Sequence, residues 1–420
     1  MKNLSPKVNS YHLWVIISIF LGALLAPMMA SNISHLSLAL INGECQKITP
    51  HPLYNYYHID SSNPDFANIT FAADFSNVYF TAKNFQKRDI YTGKYDPAKR
   101  PVLYPPFLYY IYRHTFCHFT FGEAALWHLL SQILLLFLST YFILRYYHLR
   151  LMFLPLTVTY SALLFFTPLG LSELERGQFD IYSALSILWF LFAFYERKNY
   201  AFVLAALFAS LKWTSAPFFF QAFLIYLLVG KNKSRFKFFA LFTGTFLLTL
   251  ILFPQHITNY LSSLYNTQIF HQEGDISLVD KTSPLLLYLL PSLSPLLYAL
   301  SLIFNKRDNI FLLTFLPFMS ALAVLDLLIP SSTYQYRAIY LLGFLPMTLV
   351  WMLRLENDST YQTLFIFLFV TFIFFVFHCL WMIKAIEFKA EYCIPIYLAF
   401  YFIVASISLL KNARSSKGQN

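Results

Sequence analysis

Charge is what this sequence has least of. Only 12% of its 420 residues are Asp, Glu, Lys or Arg, while 58% are hydrophobic. A soluble globular chain carries about 25% charged residues. No soluble core of this length could hide so much apolar surface, which excludes a water-soluble enzyme or binding domain. No long polar segment is present either, so there is no room for a separate soluble domain. The chain reads as a single membrane domain, residues 1–420. Cysteine is scarce, with Cys45, Cys117, Cys379 and Cys393 as the only four. Their spacing is no disulfide framework, although Cys45 and Cys117 fall on one side of the membrane and a bond between them is open. There is no internal repeat, no low-complexity tract and no Asp-X-Asp metal signature. Glu173 and Glu175 are spaced like a weak one. The expectation is a protein that needs neither metal nor cofactor.

Apolar runs are what the chain has in excess. Each run of about 20 residues is long enough to span a bilayer. They lie near 12–30, 124–144, 151–170, 180–195, 200–211, 213–230, 238–254, 284–304, 310–329, 336–353, 361–383 and 392–410. The first run follows Lys2 and Lys7 and lacks a good cleavage site before Ser31, so it reads as an uncleaved helix rather than a signal peptide. The expected fold is therefore an all-α polytopic bundle of about twelve spans, with both termini cytoplasmic. Sixteen of the 30 Lys and Arg then fall in inner loops, which is the positive-inside pattern. The net charge of +10 reflects topology and attraction to anionic lipid, and nothing points to nucleic acid.

The same charge rule places two ambiguous segments. Residues 104–121 are apolar and aromatic but contain Arg113, His114 and His118. Counting them as a span would invert every later basic loop, so they read as an interfacial helix on the outer surface. His114, Cys117 and His118 share a face that could mimic a zinc site, but a polar face on an interfacial helix is the better reading. Residues 200–230 read as a hairpin of two short helices with Lys212 near its tip. Short paired helices that stop within the membrane usually line a cavity.

The first outer loop, 31–123, holds most of the polar content. From Asp74 onward Phe75, Val78, Tyr79, Ala82 and Phe85 repeat at helical spacing, opposite Asn77, Lys83, Asn84 and Lys87. That pattern predicts an amphipathic helix lying along the membrane. Asp74 stands at its start and is the leading candidate for chemistry, either as a helix N-cap or as a general base. The two roles are compatible, because a helix N-terminus favours an ionised carboxylate. Arg176, Gln178 and Asp180 form a polar cluster in SELERGQFD, between two spans. Lys212 is costly within a membrane hairpin unless it snorkels or meets an anion. Arg337 starts a late span in SSTYQYRAIY. The loop 255–283 reads mainly as a connector.

The order of these pieces resembles the GT-C superfamily of integral-membrane glycosyltransferases, and within it glycosyltransferase family 87. The matching pieces are ADFSNVYFTAKNF with YTGKYDP, then YPPFLYY, ERGQFDIYSAL and ALFASLKWTSAPFFF, over about residues 72–230. One departure is TYQYR, where Gln335 and Tyr336 replace the His-Tyr pair common in the family. The resemblance implies a transferase that moves a hexose, mannose by family default, from a polyprenyl-phosphate sugar to a glycolipid or glycan acceptor. It implies a bacterial plasma (inner) membrane enzyme with an extracytoplasmic site, working with inversion. Asp74 matches the position of the catalytic base. Lys212, Arg337 and Arg176 become candidate partners of the donor phosphate, and Gln178, Tyr79, Tyr104 and Gln335 candidate sugar or acceptor contacts. The alternatives are a membrane transporter or lipid flippase, which internal symmetry would favour, and a non-catalytic scaffold.

Overall fold

The computed structural model describes residues 72–96, 102–166, 173–174, 176–215, 234–266 and 335–354, with isolated positions at 15–16, 18–23, 26–27, 30, 34, 170 and 219. Every regular element among the described residues is helical. The α-helices are α1 (Ala73–Lys83), α2 (Pro106–Thr115), α3 (Phe121–Tyr146), α4 (Phe153–Phe166), α5 (Asp180–Glu196), α6 (Asn199–Leu211), α7 (Ser234–Ile251), α8 (Pro254–Asn266) and α9 (Leu345–Arg354). A 3-10 segment, Gln335–Phe344, precedes α9. The spans expected near 284–304, 310–329, 361–383 and 392–410 lie outside the described residues. So does nearly all of the second limb of the 200–230 hairpin; its first limb is α6.

Helix α3 shows how the sequence builds a candidate span. Glu123 Oε2 accepts from the backbone N–H (3.0 Å) and hydroxyl (2.8 Å) of Thr120, closing the N-terminus. Its 26 residues give a rod of about 39 Å at about 1.5 Å each, longer than the roughly 30 Å of a bilayer core. Trp127, Leu130, Leu134, Leu138, Tyr141 and Phe142 form an exposed stripe at steps of three or four. The opposite stripe, including Ala125, His128, Gln132, Leu136 and Ile143, is buried. By length and apolarity α3 alone among the described helices passes as a membrane crossing. Helices α7 and α8 pass together, bent by 97° at a break before Pro254. Proline suits the first turn of the second helix because its missing N–H would have no partner there.

Helix α5 is the centre of the described bundle. Every residue from Asp180 to Phe194 is buried, as expected of a helix that is apolar all round. It packs on α6, on α3 and on the 3-10 segment. Alanines 201, 205, 206 and 209 of α6 are all buried, and small residues let helix backbones approach within a membrane. The 3-10 segment comes close to α5 at Gly343, where a Cβ would collide with the carbonyl oxygen of Ala184. Polar cross-links tie the layers: Trp189 Nε1 to Ser139 Oγ (3.1 Å), Ser183 Oγ with Thr214 Oγ1 (2.8 Å) and Ser186 Oγ with Ser215 Oγ (2.9 Å).

The segment before α3 departs from expectation. Helix α1 does not lie half-exposed along a surface. Phe75, Val78, Tyr79 and Ala82 are buried as predicted, but so are Ser76, Asn77 and Thr81 on the other side. Asp74 and Phe80 stay partly exposed, and Lys83 at the C-terminal end is exposed. The reason is tertiary: α1 is covered by α2 and α3, and by Gly177, whose missing side chain lets the backbone sit against Phe75. Helix α2 is shorter than the predicted 104–121, ending at Thr115 before a turn. Residues 254–266 are also more than a connector. Asn259 donates to the Arg88 carbonyl (2.9 Å) and Ser263 to the Val102 carbonyl (2.9 Å), so α8 straps down the first loop.

Candidate active site

Asp74 is in the first turn of α1, but it does not cap the helix. The N-cap position is Ala72, in the left-handed region at φ 53°. Instead the carboxylate reaches across to the segment before α5. Its Oδ2 accepts from Arg176 Nε at 2.8 Å and from Gln178 Nε2. These partners lie 102 and 104 residues away in sequence. The Arg176 and Asp74 side chains keep 28% and 18% exposure, so the pair is reachable from outside the protein.

Behind it stands a second ion pair. Lys212 Nζ donates to Asp180 Oδ2 at 2.9 Å, with side-chain exposures of 8% and 0%. The anion that Lys212 needs is therefore supplied by the chain. The same ammonium donates to Gln178 Oε1 at 3.4 Å and lies 5.6 Å from the centre of the Tyr104 ring. The Gln178 amide thus joins the two ion pairs, with its NH₂ on Asp74 and its oxygen on Lys212. That arrangement fixes which way round the amide sits.

The turn carrying Arg176 and Gln178 is built for this. Gly177 has φ +63°, and a Cβ there would come within 2.7 Å of Phe75 Cβ. Glu173 Oε1 accepts from the backbone N–H of Asp180 (2.8 Å) and Ile181 (3.2 Å), so it closes the N-terminus of α5 from upstream. Burial pushes the Glu173 carboxyl well above its ordinary range, the Asp180 charge adds to the rise, and Lys212 opposes it. Beneath the turn, His128 Nε2 lies 3.3 and 3.2 Å from the carbonyls of Gly177 and Gln178, and Gln132 Nε2 reaches the latter at 2.9 Å. On its other side the His128 ring meets the Tyr112 hydroxyl at 2.5 Å, which continues to Tyr182 at 3.1 Å.

The remaining candidates are distributed differently. The Tyr104 ring packs on Phe179 at 4.8 Å and faces Lys212. The Tyr79 hydroxyl donates to the Phe119 carbonyl at 2.7 Å, and its ring packs on Phe75, Phe80 and Phe121. Gln335 and Arg337 belong to the 3-10 segment that packs on α5, but their side chains lie outside the described residues. Cys117 is a free thiol pointing at the Tyr79 carbonyl (3.6 Å), and Cys45 lies outside the described residues. Burial pushes the Cys117 thiol up to about 11. His114 precedes and His118 follows the end of α2, so they do not share a helical face with Cys117. Sequence reasoning missed His128; it placed Asp180 in the polar cluster of SELERGQFD without a partner, and saw Glu173 only as half of a weak Asp-X-Asp-like spacing with Glu175. His128 did leave a signal, because a titratable residue inside an apolar span is costly without partners.

The family model for glycosyltransferase family 87 matches residues 103–382, about two thirds of the chain. The protein belongs to glycosyltransferase family 87. Comparison with curated proteins found no match, and comparison with solved structures found none either. Tyr104, Arg176, Gln178, Lys212, Gln335 and Arg337 fall within the matched stretch, while Asp74 lies upstream of it. Asp74 nevertheless closes on that stretch through Arg176 and Gln178. As a family 87 glycosyltransferase, the chain joins a donor sugar to an acceptor, and a carboxylate held between two fixed donors is a suitable group for such a reaction.

Proposed function

We propose that this glycosyltransferase uses a polyprenyl-phosphate sugar, mannose by family default, and transfers its hexose to a hydroxyl of a glycolipid or glycan at the extracytoplasmic face of the plasma membrane. The observation that carries the reading is the Asp74 carboxylate, partly exposed and held by Arg176 and Gln178. Asp74 removes the acceptor proton as the acceptor oxygen attacks the anomeric carbon. The bond from that carbon to the phosphate oxygen breaks on the opposite side, so the configuration inverts. Polyprenyl phosphate leaves as an anion and needs charge stabilisation rather than a proton. A single base with nearby cations therefore suffices, unlike a glycosidase with its two carboxylates. Arg176, the more exposed of the two described site cations, is assigned to the departing phosphate. Arg337 is kept as a second partner. Lys212 acts from behind, through Gln178 and the field of its charge. Gln178 positions Asp74, since both ends of its amide engage ionised side chains.

The test is transfer from labelled polyprenyl-phosphate-mannose in liposomes holding the purified full chain, with host glycolipids as acceptors. Asp74→Asn is expected to lose roughly 10²–10⁴-fold in rate, the usual contribution of a general base. Transfer that survives the substitution would move the base elsewhere. Wild-type failure with every lipid-linked sugar would overturn the donor assignment and reopen the transporter reading, which family membership now disfavours.

A further inference from the structure

The C-terminal ends of α1 and α2 carry a concentration of cations that the transfer reaction does not use. Lys83, Lys87, Arg88, His114 and His118 are exposed, and Arg113 is half-buried. Among the described residues Lys83, Lys87, Arg88 and Arg113 have no carboxylate partner. The nearest acid in sequence, Asp89, pairs with Lys94 at 3.5 Å and accepts from the Tyr95 hydroxyl at 2.7 Å.

These cations are held in place rather than left loose. Lys83 Nζ lies 4.4 Å from the centre of the Tyr79 ring, and Lys87 Nζ 4.8 Å from that of Tyr95. Arg113 Nη1 donates to the Lys83 carbonyl at 3.1 Å, which joins the two helix ends. Asn259 of α8 fixes the Arg88 backbone at 2.9 Å.

The level of this patch against the membrane follows from its neighbours. The Tyr79 hydroxyl bonds the Phe119 carbonyl at 2.7 Å, just before α3 begins. The Phe119 ring lies 6.5 Å from Trp127, the first residue of the outward apolar stripe of α3. Tyr110, Phe119 and Trp127 are all exposed, and exposed aromatic rings at the end of a membrane helix mark the headgroup layer. Lys83, over the Tyr79 ring, and Arg113, bonded to the Lys83 carbonyl, adjoin this aromatic end of α3.

We propose that the ends of α1 and α2 form a docking surface for anionic phospholipid headgroups, with Lys83, Lys87, Arg88 and Arg113 meeting the phosphates and Tyr110, Phe119 and Trp127 anchoring the rim. Charge complementarity decides the occupant: four cations without carboxylates beside an apolar, membrane-facing stripe suit a surface that is negative and lipidic together. The surface is separate from Asp74 and does not depend on the transfer reaction.

The experiment places the full chain in nanodiscs of phosphatidylcholine alone or mixed with phosphatidylglycerol. Phosphatidylglycerol retained after mild delipidation is then counted by native mass spectrometry at low and high salt. Each cation near a membrane surface contributes about 1 kcal/mol, or roughly fivefold in affinity. The Lys83→Gln/Lys87→Gln/Arg113→Gln variant should thus bind on the order of 100-fold more weakly at low salt, with the gap closing at high salt as screening grows. Lys87→Gln/Arg88→Gln, which touches only exposed side chains, should lose roughly 25-fold by the same reckoning and serves if the triple variant fails to fold. Equal retention by wild type and variants would overturn the proposal. So would displacement of phosphatidylglycerol by a soluble acidic glycan at equal concentration, which would make the occupant a glycan instead.

Discussion

Lys212→Met should destabilise the protein more than any other single substitution in the site. Lys212 is 8% exposed and its partner Asp180 is 0% exposed, at 2.9 Å. Removing the ammonium leaves a carboxylate buried without its cation, and breaking one side of such a pair costs about 3–5 kcal/mol. Removing both charges is different, because the desolvation penalty goes with them. Lys212→Met/Asp180→Leu should therefore lie within about 2 kcal/mol of wild type, or above it. The comparison is made by thermal unfolding in detergent at one scan rate, since membrane proteins rarely unfold reversibly. The double variant also separates fold from function. It restores the bundle but leaves the Gln178 oxygen without its donor, so kcat should fall while the unfolding midpoint recovers. A Lys212→Met variant as stable as wild type would refute the buried pair, and with it the claim that Gln178 joins two charged centres.

Two further outcomes follow from the same turn. Glu173→Ala removes the acceptor for two backbone N–H groups at the start of α5 and should cost about 1–3 kcal/mol, whereas Glu173→Gln keeps an acceptor oxygen and should be much milder. Because the folded Glu173 holds its proton above the ordinary range, its stabilising contribution is present at low pH and is lost as pH rises from the unfolded value through the folded one; the Gln variant should lack that decline when unfolding is followed across pH. Gly177→Ala places a Cβ 2.7 Å from Phe75 Cβ at φ +63°, so the turn must move. It should cost about 1–3 kcal/mol in stability and lower kcat through displacement of Gln178, and an unchanged kcat would show that the turn does not set Asp74.

The part of this architecture that hydropathy reveals is local. The apolar runs near 124–144, 180–195 and 200–211 coincide with helices α3, α5 and α6 because a helix satisfies its own backbone and its sidedness repeats every few residues. The alternation that predicted α1 is of the same kind, and its apolar positions are indeed buried. What failed was the environment of the other face. Ser76, Asn77 and Thr81 look like solvent-facing residues in sequence, yet they are covered, because polarity tells which residues can be exposed and not which neighbours arrive.

The candidate site divides in the same way. Residue type alone marked Asp74, Arg176, Gln178 and Lys212, since a charge or amide beside a membrane span is expensive without a purpose. Their partnership was not legible, for Asp74 meets Arg176 across 102 positions of chain. Asp180 was one member of a polar cluster with no partner in view until α6 brought Lys212 to it. His128 looked like one polar interruption of an apolar run, and only the turn at Gly177 and Gln178 explains it. Composition and periodicity determined by themselves that the described residues are helical and that α3 is long and apolar enough to cross a membrane, since those properties are summed residue by residue. Which carboxylate faces which cation was decided by packing alone, because ion pairs depend on distances of a few ångströms that sequence separation does not constrain.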